Sequence, residues 1–122
     1  MSDISLKRPL VMVVEDDMLI AGTLEIALES KDYRILGPVE TVDEALRLLE
    51  TSRPDIALID YRLATTPTEG LLRPLHARHI PVCVLTGLTA GELPVAYSGC
   101  AVLQKPFRLD ALLNALGQAS PG

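Results

Sequence analysis

No run of apolar residues in this 122-residue chain approaches the roughly 18 that a membrane-spanning helix requires. The opening MSDISLKRPL also lacks the apolar stretch and small-residue cleavage site of an export signal. These two absences point to a soluble, cytoplasmic protein with no membrane partner. Cysteine is scarce, and both copies adjoin apolar runs, Cys83 within IPVCVLTG and Cys100 just before AVLQ. Such contexts suit small buried residues rather than a disulfide or a metal pair. Basic residues form no cluster: 11 Lys and Arg stand against 16 Asp and Glu, a formal charge of -5. Direct nucleic-acid binding is therefore not expected, which leaves proteins and small ions as partners. Repeats, low-complexity segments and linkers are missing as well. The length is that of one ordinary domain, expected to span 1–122 with its core over about 8–119.

What the chain does have is alternation. Apolar, strand-like runs occur at PLVMVVE (9–15), YRILGPV (33–39), DIALID (55–60), PVCVLTG (81–87) and AVLQ (101–104). Between them lie stretches with helical spacing of apolar residues: MLIAGTLEIALESK (18–31), TVDEALRLLETS (41–52) and, after the last strand, RLDALLNALGQA (108–119). Thr41 and Glu44 form a capping-box pattern at the start of the second helix. The third helical stretch, LLRPLHARH (71–79), contains Pro74 and is expected to be kinked. His76 and His79 fall in it, away from the strand ends, as surface residues. In GLTAGELPVAYSGC (87–100), Thr89 and Glu92 offer a cap and Gly99 a stop, but Gly91 and Pro94 weaken the helix between them. A fourth helix there is expected to be short or irregular. Strands and helices in alternation, with nearly continuous apolar strands, predict an α/β doubly wound domain of three layers, a parallel sheet covered on both faces. In such sheets the functional crevice lies at the carboxyl ends of the strands.

The polar residues that abruptly end the strands all fall on that edge. Glu15, Asp16 and Asp17 follow the first strand, Asp60 the third, Thr86 the fourth and Lys105 the fifth. Convergence of Glu15, Asp16 and Asp60 with Lys105 leaves a net negative site made of oxygen donors, which suits Mg²⁺ better than zinc. A carboxylate can attack phosphorus to give an aspartyl-phosphate, and phosphoryl transfer needs mainly positioning and charge neutralisation. Asp60 is the expected nucleophile, Lys105 a point charge and Thr86 a hydroxyl donor to the phosphoryl oxygens. Asp17 is expected to cap the first helix instead of binding metal.

VVEDD, DIALID, VLTG and KPF, in this order and at compatible spacing, resemble the receiver domain of bacterial response regulators in two-component signalling. The resemblance implies a five-stranded flavodoxin-like fold of strand order 2-1-3-4-5, a Mg²⁺ requirement, and phosphorylation by a sensor histidine kinase or phosphotransfer protein. It matches Asp60 to the phosphoacceptor, Lys105 to the family's lysine and Thr86 to its switch hydroxyl. Glu15 and Asp16 match the acidic pair, and the backbone carbonyl of Arg62 matches a third protein ligand to the metal. Glu15, one methylene longer than aspartate, is expected on a metal-bound water. Lys105 precedes Pro106, where the family's peptide is commonly cis.

Several positions depart from the pattern. Val102 stands where the family often has an aromatic that couples to the switch hydroxyl, and the stretch from Thr86 to Lys105 is short. The loop from Asp60 to Gly70 is long, and Ala64 replaces a frequent proline. Arg62 is a long cation expected to reach the mouth of the site. The function expected is a phosphorelay switch of contacts with a downstream protein, with no output domain in this chain. It would not be an enzyme beyond self-catalysed phosphotransfer and autodephosphorylation. The rival readings are an interaction module that acts without phosphorylation and an aspartyl-phosphate hydrolase. Such hydrolases usually place an acid two residues after the nucleophile, where this chain has Arg62.

Overall fold

A computed structural model describes residues 8–63 and 67–119. Five strands, β1 (Leu10–Val14), β2 (Arg34–Val39), β3 (Ile56–Asp60), β4 (Val82–Thr86) and β5 (Ala101–Gln104), form one parallel sheet of order β2-β1-β3-β4-β5. Helices α1 (Met18–Glu29), α2 (Val42–Thr51), α3 (Glu69–Ala77) and α4 (Leu109–Ala119) cover it. This is the expected three-layer, flavodoxin-like architecture.

The central strands are apolar without a break because side chains alternate between two separate cores. Val11, Val13, Ile56, Leu58, Cys83, Leu85 and Leu103 pack with Leu24 and Leu28 of α1 and Leu112 and Leu116 of α4. Met12, Val14, Ala57, Ile59, Val82 and Val84 pack with Ala45 and Leu49 of α2 and Leu71, Leu72 and Leu75 of α3. Each of these leucines contributes about 2 kcal/mol by leaving water.

Local sequence explains how the helices begin and end. Thr41 Oγ1 accepts the Glu44 N–H at 3.1 Å, while the Glu44 carboxylate reaches back to the Glu40 N–H at 2.9 Å. Helix α3 runs through Pro74 and stops earlier than the pattern suggested. His79 lies outside it, at φ 57°, where its N–H bonds the His76 carbonyl and the Ile80 N–H bonds the Leu75 carbonyl. That pair of bonds is a Schellman stop, and both histidines are exposed as expected. No full helix forms between β4 and β5. The Thr89–Glu92 capping box is made, yet it caps only a 3₁₀ turn, Ala90–Glu92, and a second turn, Val95–Tyr97, follows Pro94. A proline between the turns has no N–H with which to continue the first. Ala64 lies outside the described residues.

At the sheet edge, Met12 pairs with Leu36 but Val14 pairs with Val39, so Gly37 and Pro38 together face Val13. The Gly37–Pro38 peptide is cis and Gly37 has φ 102°. A Cβ on Gly37 would lie 2.8 Å from the Val39 nitrogen and 3.0 Å from the Val13 oxygen. Only glycine suits this bulge. The register beyond it lets the Val39 carbonyl accept the Glu15 N–H at 2.9 Å, which anchors the first residue of the acidic loop. Gly22, inside α1, has open space where a Cβ would stand. The same substitution therefore has opposite signs at the two sites. Gly37→Ala lowers stability by about 2 kcal/mol, whereas Gly22→Ala raises it by about 0.5–1 kcal/mol, both read by denaturant unfolding.

Candidate functional site

The carboxyl ends of β1, β3, β4 and β5 deliver the polar residues to one crevice. Asp60 ends β3 in register with Leu85, and Thr86 ends β4 in register with Gln104, one residue before Lys105. The Lys105 N–H donates to the Thr86 carbonyl at 2.7 Å, and the Lys105–Pro106 peptide is cis as anticipated. Lys105 Nζ then reaches Asp60 Oδ2 at 3.3 Å. The other Asp60 oxygen, Oδ1, accepts the Arg62 N–H at 3.1 Å. Asp60 is only 4% exposed, so both its oxygens are held within a nearly closed site.

Glu15 and Asp16 complete the cluster: one carboxylate oxygen from each of Glu15, Asp16 and Asp60 lies within 4.8 Å of the others. Glu15 is 2% exposed and its Oε2 accepts the Asp17 N–H at 3.0 Å. Its Oε1 is buried with no hydrogen-bond partner. Burial first, and then the neighbouring Asp60 carboxylate, push the Glu15 carboxyl up from 4.5 to about 7, against the opposing pull of the Asp17 N–H and Lys105. Asp17 turns away from the cluster. Its Oδ1 accepts the N–H groups of Leu19 at 2.9 Å and Ile20 at 3.2 Å, the helix cap expected of it.

Thr86 is buried, and its Oγ1 accepts the Leu88 N–H at 3.0 Å. The Arg62 side chain is exposed, so what Arg62 supplies to Asp60 in this structure is its backbone N–H. Cys83 is buried in mid-strand with its thiol pushed up to about 12 by burial, and Cys100 is half-buried. Burial pushes the Cys100 thiol up as well. Beside Lys105, an apolar groove of about 480 Å³ is lined by Leu19, Ile20, Thr23, Pro106 and Phe107.

Residues 11–117 match the family model of the response regulator receiver domain. The chain belongs to that family. Among its curated relatives, this receiver is 27% identical over 110 residues to the transcriptional regulatory protein PdtaR of Mycobacterium tuberculosis, an alignment that covers 87% of this chain and 54% of PdtaR. It spans about half the length of PdtaR and of the transcriptional regulatory protein PrrA of Mycobacterium bovis, to which it is 29% identical over 130 residues. Among solved structures, it is 34% identical to SdrG from Sphingomonas melonis Fr1, with a TM-score of 0.79 and 96% and 97% of the two chains covered. The signal receiver domain of a modulated diguanylate cyclase from Desulfovibrio desulfuricans G20 is 31% identical, with a TM-score of 0.78 and coverage of 93% and 94%. Receiver domains are signalling modules that bind Mg²⁺ at an acidic cluster. The cluster of this receiver fits such an ion, because its donors are all oxygens and a buried carboxylate oxygen lacks a partner.

Two buried hydroxyl residues near the site, Thr68 and Tyr97, carry no sequence signal that marks them. Both lie in irregular connections, and only the fold brings them together.

The folded receiver holds the Glu15 proton up to about pH 7, whereas the unfolded chain releases it near 4.5. The folded state thus binds more protons in that window, so stability present below the lower value is lost as the pH rises through the upper one. Metal-free protein is expected to lose stability between these limits through this group. Glu15→Gln should flatten the corresponding part of the stability–pH profile, measured by chemical denaturation in a chelator.

Proposed function

We propose that Asp60 is the phosphoacceptor of a phosphorelay, receiving its phosphoryl group from a phosphohistidine on a sensor histidine kinase or phosphotransfer protein. The observation that carries this reading is the convergence at Asp60: two further carboxylates within 4.8 Å and Lys105 at 3.3 Å, at the ends of three different strands. In the transfer, an Asp60 oxygen forms a bond to phosphorus as the bond from phosphorus to the donor nitrogen breaks. The Arg62 N–H and Lys105 fix the direction in which the carboxylate presents its oxygens. Lys105 remains as a positive charge beside the phosphoryl oxygens, and Thr86 offers its hydroxyl from the neighbouring strand.

Mg²⁺, when bound, neutralises charge between the acids and the phosphoryl group. Glu15, Asp16, Asp60 and the backbone carbonyl of Arg62 would hold it. Phosphorylation then alters contacts with a downstream protein, a role that the apolar groove beside Lys105 supports by offering a surface for such contact. The reading takes residues 1–122 as one receiver acting in the cytoplasm. No helix among the described residues is long and apolar enough to cross a membrane.

Incubation with a small phosphodonor and Mg²⁺ should add the mass of one phosphoryl group to the wild-type chain and none to Asp60→Asn. An unmodified mass in both, with folded protein, would overturn the assignment. Separately, Mg²⁺ at a hundredfold excess over its dissociation constant should stabilise the wild type by about 2.7 kcal/mol. Asp16→Asn should lose that response in thermal melts.

A further inference from the structure

The peptide unit between Tyr61 and Arg62 is gripped from both sides. Its N–H, from Arg62, donates to Asp60 Oδ1 at 3.1 Å. Its carbonyl, from Tyr61, accepts the Thr68 hydroxyl at 3.3 Å. A threonine hydroxyl has one proton to donate. With that proton committed to a carbonyl, the 2.9 Å contact between Thr68 Oγ1 and Tyr97 Oη must be donated by the tyrosine. Burial raises the Tyr97 pKa, so the phenol keeps the proton it donates. Thr68 is wholly buried and Tyr97 is 3% exposed. The two hydroxyls are shielded from solvent, and a donor or acceptor left alone there would be costly. The ring of Tyr97 also meets that of Tyr61 edge to face, with centroids 5.3 Å apart and an interplanar angle of 79°.

We infer that Thr68 and Tyr97 are positioning residues for Asp60: a buried relay from Tyr97 Oη through Thr68 Oγ1 to the Tyr61 carbonyl fixes the peptide plane whose other end holds Asp60 Oδ1. The relay explains why a phenol and a threonine are buried in two irregular connections. It also ties the 3₁₀ turn Val95–Tyr97 to the acceptor loop, so rotation of the Tyr61–Arg62 plane is opposed from the far side of the β4–β5 connection. Tyr61 is further anchored by its own N–H, which donates to the Leu85 carbonyl at 2.8 Å. The Tyr61–Arg62 plane lies beside an isolated antiparallel bridge between Arg62 and Pro67, and the Thr68 hydroxyl adds a buried side-chain bond to its carbonyl. The link from this plane to phosphorylation rests on the proposed role of Asp60, whereas the relay itself does not.

The test compares wild type with Tyr97→Phe, Thr68→Val and Thr68→Ser, with Leu112→Ala as a control for destabilisation in the core on the opposite face of the sheet. In metal-free protein, hydrogen exchange of the Arg62 amide, followed by NMR, should speed up about fivefold in Tyr97→Phe and in Thr68→Val, the factor that one net hydrogen bond represents. Neither substitution alters Arg62 or its chain neighbours, so the change reads the structure and not intrinsic chemistry. Thr68→Ser should restore the wild-type rate, and Leu112→Ala should leave it unchanged while lowering the melting temperature. With Mg²⁺ and a small phosphodonor, the first two variants should acquire phosphate about fivefold more slowly than wild type, and Thr68→Ser at the wild-type rate. Unchanged Arg62 exchange in Tyr97→Phe and Thr68→Val would overturn the relay, as would an equal acceleration in Leu112→Ala. Wild-type phosphorylation rates in both variants would overturn the positioning role. If the wild type itself takes up no phosphoryl group, the phosphoacceptor assignment falls, and the relay is decided by the Arg62 exchange alone.

Discussion

Three carboxylates within 4.8 Å, on the buried edge of a parallel sheet and opposed by one ammonium, are the constraint around which the rest of this domain is arranged. Burial first, and then the neighbouring Asp60 carboxylate, disfavour charge on Glu15, and its raised carboxyl is the sign of that strain. The fold tolerates it by holding each group with a short, local partner. Val39 takes the Glu15 N–H, Asp17 donates to Glu15, Arg62 donates to Asp60, and Lys105 sits across from Asp60. A site built this way gives up stability in return for a cluster of oxygen donors and an Asp60 carboxylate whose direction is set in advance.

The two cores supply the rigidity that this arrangement needs. The central strands are sealed on both faces, so their ends cannot shift independently, and register alone places Asp60, Thr86 and Lys105 side by side. The irregular features lie at the margins, and several of them serve the crevice. The bulge at Gly37 and Pro38 brings the Val39 carbonyl to Glu15. The 3₁₀ turn that follows Pro94 carries Tyr97 to Thr68.

Much of the site was legible because strand ends are marked by chemistry: an unbroken apolar run that stops at Asp, Thr or Lys announces both the edge and its occupant. Asp60, Thr86 and Lys105 could be read in this way, and Asp17 could be separated from its neighbours as a cap because an acid next to a helical pattern has a use there. The stop of α3 was less legible. Ala77, Arg78 and His79 continue the helical composition, and the left-handed turn at His79 is fixed by hydrogen bonds to carbonyls of the preceding turn, which no residue type there demands. The connection from β4 to β5 was half legible, since Gly91 and Pro94 forbid a long helix without saying what replaces it.

The order of polar and apolar residues along the chain determined by itself the alternation of strands and helices, the two-sided burial of the sheet and the identity of the acids, lysine and threonine at its carboxyl edge. These follow from periodicity and strand termination, which are local. Only the tertiary structure decided that Glu15 has a buried oxygen without a partner, that the Arg62 amide is spent on Asp60, and that Thr68 and Tyr97 meet. Each of these depends on groups brought together by strand register and loop path, and the direction of a hydrogen bond is set by the position of both partners at once.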